Sequence, residues 1–257
     1  MKENREQKLI QHLYVSQKLT LEQAMDFLCI SESTARRLFT TLEEKGLAIR
    51  THGGLQCLGS TITSYSFEQG ARHNMEQKNA IARKACELIQ DGDVIFCDSG
   101  TTIRCFCAEL ALYLKNHQMN IKFYTNSVAN IDILSPHTEV NLIGGRYRPN
   151  RKDFCGYIAE HALSGLYFTK SFVGADGCIN NSKFTTTDFE TAKMNEIAIQ
   201  NSKETFLLVD SSKFSSASHV AYVPVNNLTG IITDLDITHE IKDSITSKGC
   251  RVICAEK

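Results

Sequence analysis

Three short polar segments of the chain carry residue types that suit a phosphorylated polyol. The first, Asp98–Thr102, follows an apolar run and precedes a stretch with helical spacing. Gly100 permits a tight turn, and N–H groups at a helix start, with the hydroxyls of Ser99, Thr101 and Thr102, suit a phosphate. Taken on its own, this segment is explained slightly better by an ordinary helix cap, in which the aspartate or the serine satisfies the first turn.

The other two segments also follow apolar runs. Gly174–Gly177 contains Asp176, and Asp210–Phe214 contains Lys213. A lone aspartate of this kind is often only a turn residue, and a lone lysine is often only solvated. Together, however, the three segments offer hydroxyls, carboxylates and an ammonium group. This combination favours a site for a phosphorylated sugar more strongly than any one segment does.

The elements that must position these segments alternate between helices and strands from Asn74 onward. This alternation predicts an open, largely parallel α/β sheet, on which ligands bind at the carboxyl ends of the strands. The predicted strands are Val94–Cys97, Ile121–Tyr124, Glu139–Ile143, Ser171–Gly174, Thr205–Val209, His219–Val223, Gly230–Thr233 and Arg251–Cys254. The predicted helices span about 75–90, 102–114, 127–134, 156–164, 186–201 and 238–247.

The first sixty residues have a different pattern, that of three short helices. The first helix is predicted from about Lys2 to Ser16. Thr20, followed three residues later by Gln23, matches a capping box and predicts the start of a second helix. A third helix is predicted to begin at Ser31 and to end at Lys45-Gly46, with Ala35, Phe39 and Leu42 on its inner face. Two short helices across such a turn form a helix-turn-helix pattern.

The outer face of the third helix carries polar and basic residues that suit DNA. A Gly-Gly turn follows the helix and predicts two short strands, which would form a β-wing. An ordinary three-helix core with a solvated arginine pair is the alternative, and the wing shifts the interpretation toward DNA. The predicted DNA-binding residues are Ser33, Thr34, Arg36, Arg37 and Thr40 on the helix and Arg50 and His52 on the wing.

Composition narrows the class of protein. The chain has 257 residues, of which 42% are hydrophobic and 22% charged, so a wholly disordered or collagen-like protein is excluded. No apolar run reaches the ~18 residues of a membrane span, and no signal peptide pattern is present, so we expect a cytoplasmic protein. Residues 1–60 have a net charge of only +1, so the DNA prediction depends on where the charges lie.

Ten cysteines are scattered along the chain without a C-x-x-C motif. We interpret them as reduced and mostly buried thiols. A metal or oxidant sensor at Cys105-Phe106-Cys107 is the alternative, although no histidine lies nearby at ligand spacing. We therefore predict no cofactor and no metal site.

Several stretches resemble the DeoR family of bacterial transcription regulators. In the N-terminal part they are Leu28–Phe39, Leu42–Gly46 and Arg50–Gly54. The resemblance continues through Asp98–Thr102, Thr125–Ser127, Gly144–Arg146, Gly174–Gly177 and Asp210–Lys213, so it covers nearly the whole chain.

This resemblance implies a C-terminal domain that senses a sugar phosphate and is similar in fold to ribose-5-phosphate isomerase and glucosamine-6-phosphate deaminase. It implies that Ser99, Gly100, Thr101, Thr102 and Lys213 hold the phosphate. It also implies that Asn126 and Asp176 contact sugar hydroxyls, with Arg146 and Glu190 as further candidates.

We therefore predict a DNA-binding regulator, a repressor of a carbohydrate-utilisation operon that is controlled by a phosphorylated sugar. It would bind double-stranded operator DNA as a homodimer or homotetramer, without a membrane partner. The expected domains are a winged helix-turn-helix at 1–58, a linker at 59–74 and an effector-binding and oligomerisation domain at 75–257.

The alternative function is a sugar-phosphate isomerase or deaminase. Cys178 stands where the similar deaminases carry histidine, and no positioned acid/base pair is evident for proton transfer, so no catalytic residue is predicted. An enzymatic function would also leave the predicted helix-turn-helix and wing without a role.

Overall fold

The structure is a computed structural model that describes residues 5–6, 8–10, 12–13, 18–44, 48–51, 53–57 and 67–256. The chain divides into two units, Met1–Ser64 and Tyr65–Lys257. Among the residues described, no helix is both long enough and apolar enough to cross a membrane. Each unit has its own apolar core.

The N-terminal unit combines helices with a small antiparallel sheet. Its elements are β1 (Lys18–Thr20), α1 (Leu21–Leu28), α2 (Glu32–Glu44), β2 (Ala48–Thr51) and β3 (Gly54–Cys57). The strand order is β1-β3-β2, and both pairs are antiparallel. The predicted helix-turn-helix and wing are confirmed. Strand β1 is an addition, because the sequence predicts only a helix break there.

Local signals explain most of this unit. The Thr20 hydroxyl accepts from the Gln23 backbone N–H at 3.2 Å, and the Gln23 side chain accepts from the Thr20 N–H at 2.9 Å, which is the predicted capping box. Gly54 is required where β3 crosses β1, because an added Cβ would lie 2.1 Å from the Leu19 carbonyl oxygen. The core contains Leu9, Leu13, Leu19, Ala24, Leu38, Phe39, Leu42, Ala48 and Leu55.

Three of the N-terminal predictions fall partly or wholly outside the described residues. Within the predicted first helix, residues 5–6, 8–10 and 12–13 are described, and they are helical. The predicted end of the third helix at Lys45-Gly46 and the wing residue His52 lie outside the described residues.

The larger unit is built on a seven-stranded sheet. Its helices are α3 (Phe67–Arg72), α4 (Met75–Cys86), α5 (Thr101–Asn116), α6 (Val128–Leu134), α7 (Tyr157–Ser164), α8 (Phe189–Gln200) and α9 (His239–Thr246). Its strands are β4 (Val94–Cys97), β5 (Lys122–Thr125), β6 (Val140–Leu142), β7 (Arg146–Arg148), β8 (Asp153–Cys155), β9 (Phe168–Val173), β10 (Gly177–Ile179), β11 (Lys183–Thr186), β12 (Ser202–Leu208), β13 (Val220–Pro224), β14 (Gly230–Asp234) and β15 (Arg251–Ala255).

The sheet order explains where a ligand site can form. The order is β15-β14-β12-β9-β4-β5-β6, and every adjacent pair is parallel, as predicted for this unit. The chain moves from β4 outward to β6 and then returns to β9 on the other side of β4. This reversal opens a crevice at the carboxyl ends of β4 and β9.

Two predictions about this unit need correction. The strand predicted at His219–Val223 forms as β13, but it pairs with β11 in the antiparallel sheet β10-β11-β13, outside the parallel sheet. The pattern of residues within a strand does not reveal which strand it pairs with, so the sequence could not show that β13 pairs with β11. The predicted linker at 59–74 contains a helix, α3, whose Phe67 is buried. The stretch is mostly polar, so its composition did not indicate that Phe67 is buried.

Aromatic and aliphatic side chains pack on both faces of the sheet. One cluster includes Phe106, Phe123, Phe172 and Phe206, and the rings of Phe106 and Phe172 pack in a tilted arrangement with centroids 4.5 Å apart. Most of the cysteines are buried, as expected, including Cys105 and Cys107. Within the described part of the chain, no group of three metal-ligating side chains could hold a metal ion.

Candidate functional site

A cavity of about 310 Å³ lies in the crevice at the carboxyl ends of β4, β9 and β12. All three polar segments singled out in the sequence line it. The predicted residues that it brings together are Ser99, Gly100, Thr101, Thr102, Asp176 and Lys213. Further lining residues are Gly70, His73, Asn74, Lys78, Asp98, Arg151, Gly174, Ala175, Thr186, Thr191, Leu208, Asp210 and Ser212.

Asp98 shapes the turn between β4 and α5. One carboxylate oxygen accepts the Gly100 N–H at 2.7 Å, and the other accepts the Gly174 N–H at 2.7 Å and the Asn195 amide at 3.2 Å. Burial raises the pKa of Asp98 to about 6, against these lowering hydrogen bonds. Asp98 therefore ties the ends of β4 and β9 to helix α8.

The N-terminus of α5 faces the cavity without a side-chain cap. Gly100 is the N-cap residue, and no acidic side chain lies in the first turn. The Ser99 hydroxyl donates to Asp153 at 2.7 Å, so its proton is already engaged and its oxygen remains an acceptor. The backbone N–H groups of the first turn, with Thr101 and Thr102, are the donors suited to an anion.

Three cationic side chains line the cavity. Lys213 lies half-buried on the 3-10 turn Ser211–Phe214. Lys78 of α4 is 4% exposed, and its ammonium donates to the Gly70 carbonyl at 2.6 Å. Burial lowers the pKa of Lys78, and the nearby Asp210 carboxylate opposes this shift. Arg151, 8% exposed, pairs with Asp188 at 2.8 Å.

Sequence reasoning missed Lys78 and Arg151. A signal for Lys78 exists, because it shares helical spacing with Ile81, Ala82 and Ala85, all of which are buried in α4. A lysine on the apolar face of a helix indicates a buried ammonium with a partner. Arg151 has no comparable local signal, because it lies on the turn between β7 and β8 and reaches the cavity only through the fold.

Asp176 offers a partly exposed carboxylate at the cavity wall. Its Oδ2 atom accepts from the Thr186 hydroxyl and from the Thr187 N–H, each at 3.0 Å. These two donors hold the side chain in place at the end of β9. A carboxylate held in this way can accept hydrogen bonds from the hydroxyl groups of a polyol.

Three of the predicted effector residues do not line this cavity. Asn126 is buried, and its amide donates to the Phe154 carbonyl at 2.9 Å, which attaches β8 to the end of β5. Arg146 and Glu190 pair with each other at the surface, where the Arg146 side chain is 64% exposed. The sequence does not reveal that these three side chains lie outside the cavity, because their distance from the cavity segments is set by the fold.

An ion-pair network supports the cavity from behind Ser99. Arg148 donates to both carboxylate oxygens of Asp153 at 2.8 Å and to Asp188 at 2.8 Å. Asp188 caps helix α8 through the Thr191 N–H. The network connects the hairpin β7–β8, helix α8 and the β4–α5 turn, so it fixes three sides of the site.

Helix α2, the third helix predicted from the sequence, presents a polar outer face. Ser33, Arg36 and Arg37 are exposed, whereas Thr34 and Thr40 are half-buried. Arg36 pairs with Glu32 at 2.8 Å. This face offers hydroxyl and guanidinium groups, the donors that contact phosphates and base edges in the major groove.

The wing is attached to helix α2 through Arg50. Its guanidinium donates to the Thr40 hydroxyl at 3.2 Å, and its backbone N–H donates to Glu43 at 3.2 Å. Arg36 and Arg50 line one shallow pocket of about 330 Å³ with Gly53 and Gly54 of the wing. Two arginines beside a glycine turn form a compact basic surface in this unit.

Comparison with known proteins covers both units. The sequence model of the DeoR-like helix-turn-helix domain matches residues 5–61, and that of the DeoR C terminal sensor domain matches residues 73–235. A lactose phosphotransferase system repressor of Lactococcus lactis subsp. lactis is 37% identical over 242 residues, 92% of each chain. An uncharacterized HTH-type transcriptional regulator FruR of Bacillus subtilis (strain 168) is 30% identical and covers 90% of this chain and 91% of its own.

Among solved structures, ribose 5-phosphate isomerase A from Methanocaldococcus jannaschii is similar at 20% identity, with a TM-score of 0.42 over 55% of each chain. That level of similarity concerns the fold alone. With both family models matched in chain order and relatives aligned over nine-tenths of its length, this chain belongs to the DeoR family of DNA-binding transcriptional regulators.

Proposed function

We propose that this regulator represses a carbohydrate-utilisation operon and leaves its operator when a phosphorylated sugar fills the 310 Å³ cavity. The observation that carries the proposal is the N-terminus of α5, which has no side-chain cap and lines the same cavity as Lys213 and Lys78. The Lactococcus lactis relative is named a repressor of a lactose phosphotransferase system, which agrees with an effector from sugar metabolism.

The phosphate would lie at the first turn of α5. There it would accept hydrogen bonds from backbone N–H groups and from Thr101 and Thr102, with Lys213 and Lys78 supplying positive charge. Asp176 would accept hydrogen bonds from the sugar hydroxyls. Arg151, although paired with Asp188, lies within the same lining and adds a third cation.

In the N-terminal unit, Arg36, Arg37 and Arg50 would neutralise phosphates, and Ser33 and Thr34 would lie nearest to the base edges. We place the DNA-binding domain at 1–58 and the effector-binding domain at 75–257, together with helix α3. A cytoplasmic homodimer or homotetramer would present two recognition helices to repeated half-sites. Effector binding must then favour a conformation with lower operator affinity.

A thermal-shift screen tests this proposal. Bound ligand stabilises the folded state by RT ln(1 + [L]/Kd), about 2.7 kcal/mol at a hundredfold excess over Kd. We expect one or a few sugar phosphates to raise the Tm of the larger unit, and we expect the corresponding free sugars to leave it unchanged. Lys213→Ala should remove the shift, whereas Lys203→Ala, an exposed lysine at the amino end of β12, should retain it.

Two outcomes would contradict the proposal. Free sugars that stabilise the protein as well as their phosphates do would exclude the phosphate site. Sustained turnover of ribose 5-phosphate or glucosamine 6-phosphate, lost in Asp176→Asn, would favour the enzyme over the regulator. Operator release should be measured on the same samples, because it connects the cavity to DNA binding.

A further inference from the structure

Helix α3 is the first described element after the N-terminal unit, which ends at Ser64. It lies against the effector cavity, because Gly70 belongs to the lining. Two sets of contacts hold it there, an inner set at Gly70 and an outer set at Phe67 and Glu68. Both sets involve elements that also form the cavity.

The inner contacts connect α3 to the groups proposed to bind phosphate. The Lys78 ammonium donates to the Gly70 carbonyl at 2.6 Å. Gly70 also lies close to Thr101, since an added Cβ would be 3.3 Å from the Thr101 methyl group. The position of α3 therefore depends on the same lysine and the same threonine that face the first turn of α5.

The outer contacts connect α3 to both neighbours of Arg151. The Phe67 N–H donates to the Asn150 carbonyl at 3.0 Å. The Lys152 ammonium pairs with Glu68 and lies 5.6 Å from the centroid of the Phe67 ring. Any shift of the β7–β8 turn that carries Arg151 would therefore also act on α3.

A phosphate is a stronger acceptor for a buried ammonium than a peptide carbonyl, because its charge adds to the hydrogen bond. We propose that effector binding draws the Lys78 ammonium from the Gly70 carbonyl to the phosphate, and that the loosened α3 carries the signal toward the DNA-binding unit. This inference rests on the proposed phosphate site and adds its route of regulation. The Gly70 carbonyl would then keep the longer hydrogen bond from the His73 N–H, at 3.3 Å, and would lose the shorter one from Lys78. This loss is the differential interaction that such a transition requires.

Hydrogen exchange with inorganic phosphate tests this route directly. Inorganic phosphate can compete with the Gly70 carbonyl for the Lys78 ammonium, and it lacks the sugar, so it tests the phosphate contact alone. With the full chain, we expect phosphate to raise the exchange rate of amides in residues 67–74 several-fold, relative to sodium chloride of equal ionic strength. Peptides from α9, which contributes no residue to the cavity lining, should exchange at the same rate with and without phosphate.

A variant outside the cavity provides a second test of the route through α3. Glu68→Ala removes the outer ion pair with Lys152, so α3 should exchange several-fold faster even without phosphate, and added phosphate should change it less. Glu87→Ala removes a comparable surface pair, with Lys84 on α4, and should behave like the wild type. Because the coupling is reciprocal, the phosphate-induced rise in Tm should be at least as large in Glu68→Ala as in the wild type, and Glu87→Ala should equal the wild type.

The possible results separate the two proposals. If phosphate raises the Tm but leaves exchange in residues 67–74 unchanged or slower, the route through α3 is wrong and the phosphate site stands. If phosphate changes neither the Tm nor the exchange, both proposals are overturned. If Glu68→Ala and Glu87→Ala have equal effects on α3 exchange, the outer anchor has no role in coupling.

Discussion

Asp153 is the residue whose removal tests the network behind the cavity most directly. Its carboxylate is fully buried, and it accepts two hydrogen bonds from Arg148 and one from Ser99, all between 2.7 and 2.8 Å. Asp153→Ala leaves Arg148 with Asp188 at 2.8 Å and, more distantly, with Glu190 at 3.8 Å. The Ser99 hydroxyl loses its acceptor at the same time.

The expected cost follows from this geometry. Breaking a buried ion pair by removing one partner costs about 3–5 kcal/mol, because a buried charge is left without compensation. Since Arg148 keeps Asp188, we expect the lower end, about 3 kcal/mol, which a domain stable by about 5–15 kcal/mol survives. The ligand-induced rise in Tm should also shrink, because Ser99 is no longer held at the β4–α5 turn.

Urea unfolding followed by far-UV circular dichroism measures this cost, since the chain has no tryptophan. Glu190→Ala is the control, because it breaks a surface ion pair with Arg146, whose side chain is 64% exposed, and only a longer contact of 3.8 Å with Arg148. That exposed pair should contribute little to stability, because solvent and salt screen it. A loss in Asp153→Ala no larger than the loss in Glu190→Ala would refute the reasoning.

Three further predictions concern the wing, the pH dependence and the recognition helix. Gly54→Ala should cost about 1–3 kcal/mol in urea unfolding, whereas Gly53→Ala, with open space around its Cβ position, should be near neutral. Because burial raises the pKa of Asp98 from 3.8 to about 6, its stabilisation is present at low pH and is lost as the pH rises. The stability of the wild type relative to Asp98→Asn should therefore fall by roughly 2 kcal/mol between pH 4 and pH 7, and a constant difference would contradict this. Replacing Arg36 and Arg37 together with alanine should weaken operator binding and reduce its salt slope, and unchanged binding at two salt concentrations would exclude α2 as the recognition helix.

Local patterns in the sequence predicted the N-terminal unit well. A capping box and helical spacing depend on neighbouring residues only, so Thr20 and Gln23 mark the start of α1 without tertiary information. The Gly-Gly turn predicted the wing for the same reason. Strand β1 escaped prediction, because three residues pair with β3 only once the chain has folded back.

The cavity was predicted in part. Apolar strands followed by polar turns marked the three segments that line it, since parallel strands bring their carboxyl ends to one edge. Lys78 was predicted only as a residue of a helix, although its apolar neighbours carried a signal. The stretch that contains α3 has the composition of a linker, and its contacts with Lys78 and Lys152 exist only in the folded chain.

By itself, the sequence determined the order of the units, the capping box at Thr20, the polar turns after strands and the family to which the chain belongs. All of these depend on spacing over a few residues or on motifs. Only the tertiary structure decided that Arg151 enters the cavity and that Arg146 and Glu190 pair outside it. The physical reason is that strand order and hairpin position set distances between residues far apart in the chain, and short-range spacing carries no information about them.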